Sequence, residues 1–217
     1  MTWFDWTILD FIQNHLRSGG MDTLMVWITT LGNGGAVWLA IAAVLLLRKK
    51  TRRAGVCLLA AIAFTAVCCN LGLKPLIARP RPCHLDPSVQ LLIPNPTDFS
   101  FPSGHTAASF AAVAALYYFR CRYWYLAGTL AVLIAFSRLY LYVHFPTDIL
   151  AGALLGLMLG WCSVTLVRLI FRKTDLKRRK KTCQSICSMV FAWRLLIRCP
   201  GCPAARSHLS SDFTTAF

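Results

Sequence analysis

The chain has 217 residues, 57% of them apolar, against about 45–50% in soluble domains, and it carries a formal net charge of +15. The apolar excess comes in long uncharged runs, which excludes an ordinary soluble domain and points to the bilayer. The basic residues fall between those runs rather than across one face, which excludes nucleic acid as a partner and marks cytoplasmic loops.

Residues 3–16 repeat apolar groups at helical spacing, with Trp3, Trp6, Leu9, Ile12 and Leu16 expected to share one side. Asp5 and Asp10 interrupt the segment and no basic start precedes it, so it does not read as a signal peptide. It is expected to lie flat on the bilayer as an interfacial helix. A first apolar span covers 22–47, with a kink or unwound turn expected where Gly32, Asn33, Gly34 and Gly35 interrupt it. A second span covers 54–74, and a proline-rich loop, 75–101, comes next. The third span runs over 102–118, the fourth over 124–143, and the fifth from Pro146 to about residue 171. Several of these reach the roughly 20 residues that cross about 30 Å of hydrocarbon. The expected fold is all-α: a polytopic membrane helical bundle of about five transmembrane helices plus the N-terminal interfacial helix. Residues 1–171 form the membrane domain, and 172–217 a basic, cysteine-containing tail.

Four of the ten cysteines, Cys57, Cys68, Cys69 and Cys162, lie inside apolar runs and read as small buried hydrophobes. Cys183, Cys187, Cys199 and Cys202 fall in the tail, at a spacing that can hold zinc. The plainer reading there is a flexible or interfacial tail, because 189–197 is apolar but too short to span.

The loops orient the bundle. Arg48, Lys49, Lys50, Arg52 and Arg53 join spans one and two, and Arg120 and Arg122 join spans three and four. Arg172, Lys173 and the cluster 177–181 come after span five. With five spans all three clusters share one side, the cytoplasmic one by the positive-inside rule. The N-terminus, the 75–101 loop and the turn at 144–147 then face outward.

Three polar groups meet at that outer side: Lys74, Arg79, Arg81 and Pro82; Pro102, Ser103, Gly104 and His105; and Ser137, Arg138, His144 and Asp148. Ionisable groups near apolar spans are expensive and by default functional. Lys74, Arg81 and Arg138 are cations, and Ser103 and Gly104 open a helix whose free N–H groups favour an anion. Together they read as a phosphate cradle that needs no metal. His144 and His105 supply a nucleophile and an acid–base group, and Asp148 can fix an imidazole tautomer. Taken singly, these residues have blander readings: Lys74 as a snorkelling span end, His105 as a helix-start histidine, His144 and Asp148 as an interfacial pair. Arg138 lies six residues before His144, about 9 Å deeper on a helix, and asks for a buried partner. Arg79 is given no role beyond a loop or lipid-headgroup contact. The chain has no glutamate, and from residue 75 onward the only outward-facing carboxylates are Asp86, Asp98 and Asp148, too few for a two-metal phosphatase. No metal and no cofactor is expected.

These stretches resemble the type 2 phosphatidic acid phosphatase superfamily. Lys74, six residues, then Arg81-Pro82 is similar to its first motif, Pro102-Ser103-Gly104-His105 to its second, and Ser137-Arg138, five residues, His144, three residues, Asp148 to its third. The resemblance covers about residues 22–171. It implies a lipid phosphate phosphatase of the plasma membrane with an extracytoplasmic active site, acting through a phosphohistidine intermediate. In that reading His144 is the nucleophile and Asp148 orients it. His105 protonates the leaving oxygen and then activates water, and Lys74, Arg81, Ser103, Gly104 and Arg138 hold phosphate oxygens. The expected substrate is undecaprenyl diphosphate, with phosphatidylglycerol phosphate and phosphatidic acid as alternatives. Vanadate-dependent haloperoxidases of the superfamily are soluble, unlike a chain with five spans. A non-enzymatic transporter or scaffold would show degenerate motifs, whereas here every matching position is filled.

The orientation has a direct check. Ser88→Cys, in the 75–101 loop, should gain label over the wild type when intact cells meet an impermeant thiol reagent. Gain only after lysis would reverse the assignment.

Overall fold

The computed structural model describes residues 3–197, with side chains through Arg172. It is all-helical over those residues. Helix α1 is Trp3–His15; α2, Gly19–Gly32, and α3, Ala36–Leu47, are joined by a 3₁₀ turn at Asn33–Gly35. Helix α4, Arg52–Thr65, passes into a π-helical stretch, Ala66–Leu73, and two single turns, α5 (Lys74–Ile77) and α6 (Pro82–Leu85). Helices α7 (Gly104–Tyr118), α8 (Trp124–Tyr140) and α9 (Pro146–Ile197) complete the order. The chain divides into two compact units, Met1–Arg168 and Leu169–Phe217. The candidate site residues read from the sequence all belong to the first. In the second, the backbone is helical through Ile197, where the sequence suggests a flexible tail. Cys199 and Cys202 lie outside the described residues, as do the side chains of Cys183 and Cys187.

Among the described residues three stretches are long and apolar enough to cross a membrane, Gly19–Leu47, Arg52–Leu85 and Pro146–Arg172, with the 17-residue α8 a shorter apolar helix. The expected break in the first is present. Gly34 and Gly35 take φ of 58° and 72°, the left-handed region where only a residue without Cβ sits at ease. The break ends α2 at Gly32, where an added Cβ would lie 2.9 Å from His105 Cδ2. The π stretch has its own effect: its extra residues per turn rotate the chain beyond it, so buried Lys74 begins a fresh helical turn.

Helix α1 departs from the expected one-sided stripe. Its buried residues are Asp5, Leu9 and Ile12, at i, i+4 and i+7, while Trp3 is 79% exposed. Trp6 packs edge-on against Phe145, with ring centroids 5.3 Å apart. The helix thus docks on the bundle through a face that includes a carboxylate. Its 13 residues, about 20 Å, are too few to span.

Helix α9 sorts its residues sharply. Leu150, Leu154, Met158 and Trp161 are exposed on one side, where lipid solvates them. On the other side Gly152, Gly156 and Gly160 meet α7, backbone to backbone: a Cβ at Gly156 would come within 2.3 Å of Ala107 O, and one at Gly152 within 2.7 Å of Ser103 O. Small residues at a four-residue spacing let membrane helices approach this closely. Cys162, expected to be buried, is exposed.

Gly156→Ala should therefore overpack the α7–α9 contact. A loss of about 1–3 kcal/mol is expected, read as a lower unfolding midpoint in detergent, because the clash is with rigid backbone. Gly128→Ala in α8, whose Cβ would meet nothing within 4 Å, should keep or raise the midpoint, since Ala favours a helix interior over Gly.

Candidate active site

The helix ends and loops converge on one cavity of about 850 Å³. Lys74, Arg81, Arg138, Gly104, His105 and His144 all line it, so six of the eight residues singled out in the sequence share one space. Ser103 and Asp148 stand behind its wall, fully buried.

Ser103 explains its own position. As N-cap of α7 it accepts from the Thr106 backbone N–H, and its hydroxyl pairs with Thr106 Oγ1 at 2.9 Å. Such a cap satisfies an otherwise orphaned donor. The hydroxyl is thus engaged with its own helix, and α7 presents Gly104 and His105 to the cavity.

The cations are held by backbone and by one carboxylate. Arg81 donates through Nε to the Asp98 carbonyl at 2.8 Å, through Nη1 to the Val143 carbonyl at 2.7 Å, and through Nη2 to Asp98 Oδ1 at 2.5 Å. Lys74 Nζ pairs with Asp98 Oδ2. Burial alone would raise the Asp98 carboxyl. The hydrogen bond from Lys74 and the charge of Arg81 more than offset this and hold it down, at about 2. Arg138 donates through Nη1 to Thr29 Oγ1 at 2.7 Å. Its Nε is the one buried side-chain nitrogen or oxygen among the described residues without a hydrogen-bond partner.

His144 sits in the turn between α8 and α9, 1% exposed. Arg81 Nη1 lies 3.3 Å from its Nε2, and because a guanidinium can only donate, Nε2 carries the lone pair. The proton is then on Nδ1, which faces Ser100 Oγ at 3.4 Å. Ser100 Oγ donates in turn to Asp148 Oδ2 at 2.5 Å. Asp148 Oδ2 also accepts from the Phe145 N–H at 2.9 Å and stands 3.7 Å from His144 Nδ1. The sequence pairs Asp148 with His144; in the structure the two stand 3.7 Å apart, and the Ser100 hydroxyl beside them contacts both. His105 Nε2 lies 3.0 Å from Asn33 Oδ1, in the break between α2 and α3.

Arg79 departs most from its reading as a loop contact. Its Nη1 donates to Asp148 Oδ1 at 2.5 Å and to Thr147 Oγ1 at 2.7 Å, its Nη2 to Asp5 Oδ2 at 2.9 Å, and its guanidinium lies 4.3 Å from the Phe145 ring centre. Sequence reasoning also misses Asp5, Asn33, Asp98 and Ser100. Asp98 and Ser100 lie shortly before the second motif; Asp98 reads in the sequence only as one of three outward-facing carboxylates, and nothing marks out Ser100. Asp5 reads in the sequence only as an interruption of an apolar stripe.

The site is thus a cavity in an apolar helical bundle, lined by three cations and two imidazoles. The family model described as the PAP2 superfamily matches residues 54–172, and the chain belongs to that family. It is 36% identical to the undecaprenyl-diphosphatase of Sulfolobus acidocaldarius over 152 residues, 70% of this chain and 73% of the relative. Among solved structures, Aquifex aeolicus LpxE aligns with TM-score 0.65 and 30% identity over 76% of this chain and 99% of its own. The PAP2-type phosphatidylglycerolphosphate phosphatase of Bacillus subtilis aligns with TM-score 0.60 and 29% identity over 78% of this chain and 85% of its own. The chain is an integral membrane lipid phosphate phosphatase.

The electrostatics predict a pH profile. Burial, then the charges of Arg81, Arg138, Lys74 and His105, push the His144 imidazole well below its usual value near 6.5. A lowered histidine stays neutral as pH falls. Any step that needs its lone pair should therefore persist in acid, and the acidic limb of kcat/KM, after allowance for substrate ionisation, should lie well below pH 6.5. A limb at about 6.5 would show an imidazole in an ordinary aqueous setting.

Proposed function

We propose that the chain removes the terminal phosphate of a polyprenyl diphosphate, undecaprenyl diphosphate above all, releasing undecaprenyl phosphate and inorganic phosphate. The observation that carries this reading is the set of three buried cations, Lys74, Arg81 and Arg138, that line one cavity with His144, with Arg138 Nε still lacking a partner. Buried donors without partners are costly, and phosphate oxygens would satisfy them. A diphosphate brings more negative charge to three cations than a monoester does. The Sulfolobus acidocaldarius relative supports the same substrate by its name. Phosphatidylglycerol phosphate is the second reading, favoured by the likeness to the Bacillus subtilis enzyme.

In this reading Lys74, Arg81, Arg138 and the Gly104 N–H hold the terminal phosphoryl oxygens, and Ser103 keeps the start of α7 in place. His144 Nε2 attacks phosphorus while the bond to the bridging oxygen breaks. His105 gives that oxygen its proton, and the lipid phosphate leaves. Asp148, through Ser100, steadies the positive charge on the phosphorylated imidazole. His105, now neutral, takes a proton from water as the water attacks phosphorus. The nitrogen–phosphorus bond breaks, phosphate departs and His144 is restored. Preorganised cations stabilise the transferring group throughout. Among the described residues no three His, Cys or Asp side chains gather into a set that could hold a metal ion, and in this mechanism the chain's own cations carry the charge. In this reading the chain crosses five times, the site faces the extracytoplasmic side of the plasma membrane and the basic tail lies in the cytoplasm; the basic clusters in the loops support that orientation.

Purified protein in detergent should hydrolyse undecaprenyl diphosphate in EDTA. His144→Ala should abolish turnover and acid-quenched phosphoenzyme together. His105→Ala should slow turnover by roughly 10²–10⁴-fold, the scale of lost acid–base catalysis, and still trap some phosphohistidine. Activity lost to EDTA and restored by magnesium would refute the metal-free cradle, and phosphoenzyme in His144→Ala but never in His105→Ala would exchange the two roles.

A further inference from the structure

Arg79 and Asp5 take no part in the chemistry above, yet they are among the most tightly engaged charged side chains near the site. Asp5, 1% exposed, comes from α1, outside the segment that matches the family model. It accepts from Arg79 Nη2 through Oδ2, from the Thr147 N–H through Oδ1 at 3.1 Å, and from Thr147 Oγ1 through Oδ2 at 3.1 Å. Arg79 grips Asp148 with one side of its guanidinium and Asp5 with the other. The Arg79 backbone carbonyl also accepts from the Ser100 N–H at 2.9 Å. Both groups between which the His144 Nδ1 proton is held, Ser100 and Asp148, are thus fixed by one arginine.

The charges decide what Asp5 adds. An arginine bonded to Asp148 alone would cancel the carboxylate on which His144 depends. With Asp5 on its far side, two carboxylates share one guanidinium, and these three side chains together keep one negative charge. Asp148 Oδ1 is then anchored by Arg79, while Oδ2 accepts from the Phe145 N–H and from Ser100 and faces the imidazole. We propose that Asp5 and Arg79 are positioning residues for the phosphoryl-transfer step: Arg79 aims Asp148, and Asp5 offsets the charge of Arg79, so that the N-terminal helix is a working part of the active site. The proposal rests on the reading of His144 as nucleophile and Asp148 as its support.

The test uses full-length protein and undecaprenyl diphosphate in detergent micelles. Asp5→Asn should lower kcat roughly 10-fold, the lower end of what outer partners of a catalytic ligand contribute, with KM within about twofold of wild type. Asp5→Glu, which restores the charge, should recover most of the loss. In an Asp148→Asn background, Asp5→Asn should cost little more, because its route to the chemistry is already cut. Folding is monitored by gel filtration and thermal unfolding. If Asp5→Asn does not fold, Arg79→Lys, which keeps a cation but cannot bridge both carboxylates, should show the same kcat loss at constant KM. A folded Asp5→Asn with wild-type kcat overturns the proposal, as does a loss carried by KM or one that Asp5→Glu fails to restore. Asp148→Asn with wild-type turnover would instead remove the underlying reading of His144 and Asp148.

Discussion

The cost of holding cations inside an apolar bundle governs the site. An unpaired charge moved out of water is heavily penalised, and a bundle of this composition offers few acids. Asp98 answers for both Lys74 and Arg81, Asp5 and Asp148 answer for Arg79, and Arg138 has a threonine. On the proposed reading, an incoming phosphate meets two cations that Asp98 already partly neutralises. Binding there exchanges one anion for another, and the net gain comes chiefly from Arg138, whose Nε has no competing partner. The strength of the cradle is therefore set as much by what Asp98 gives up as by the number of cations.

The backbone carries this arrangement through departures from regular helix. The π stretch resets the facing of Lys74, the glycine break opens the first span opposite His105, and the glycines of α9 bring α7 close enough for Ser103 to stand beside the α8–α9 turn. The Ser103 N–H donates to the Asp148 carbonyl at 3.2 Å, which ties the second and third motifs together without any side chain.

Much of this is legible in the sequence. Apolar runs and intervening basic clusters indicate a membrane bundle because the bilayer imposes length and charge rules that act locally along the chain. The kink at Gly32–Gly35 is visible for the same reason, since glycine acts at its own position. The cavity-lining residues come from motif spacing. Long-range pairing escapes: Ser100 as the link between His144 and Asp148, Asp98 as a shared counter-ion, and the junction of Asp5, Arg79 and Thr147. No periodicity encodes which acid meets which base between distant parts of the chain. The face of α1 escapes likewise, because a buried carboxylate looks like an interruption until its partner is known.

The Asp5–Thr147 contact joins residues 142 positions apart. A chain synthesised from its N-terminus at about 5–20 residues per second exposes α1 long before Thr147 and Asp148 leave the ribosome. Asp5 can meet Arg79 once residue 79 has been made, but its bonds to Thr147 form only after the start of α9 has been made. The Asp5–Thr147 contacts are therefore among the later ones of the bundle to form, joining an earlier-made helix to a later one.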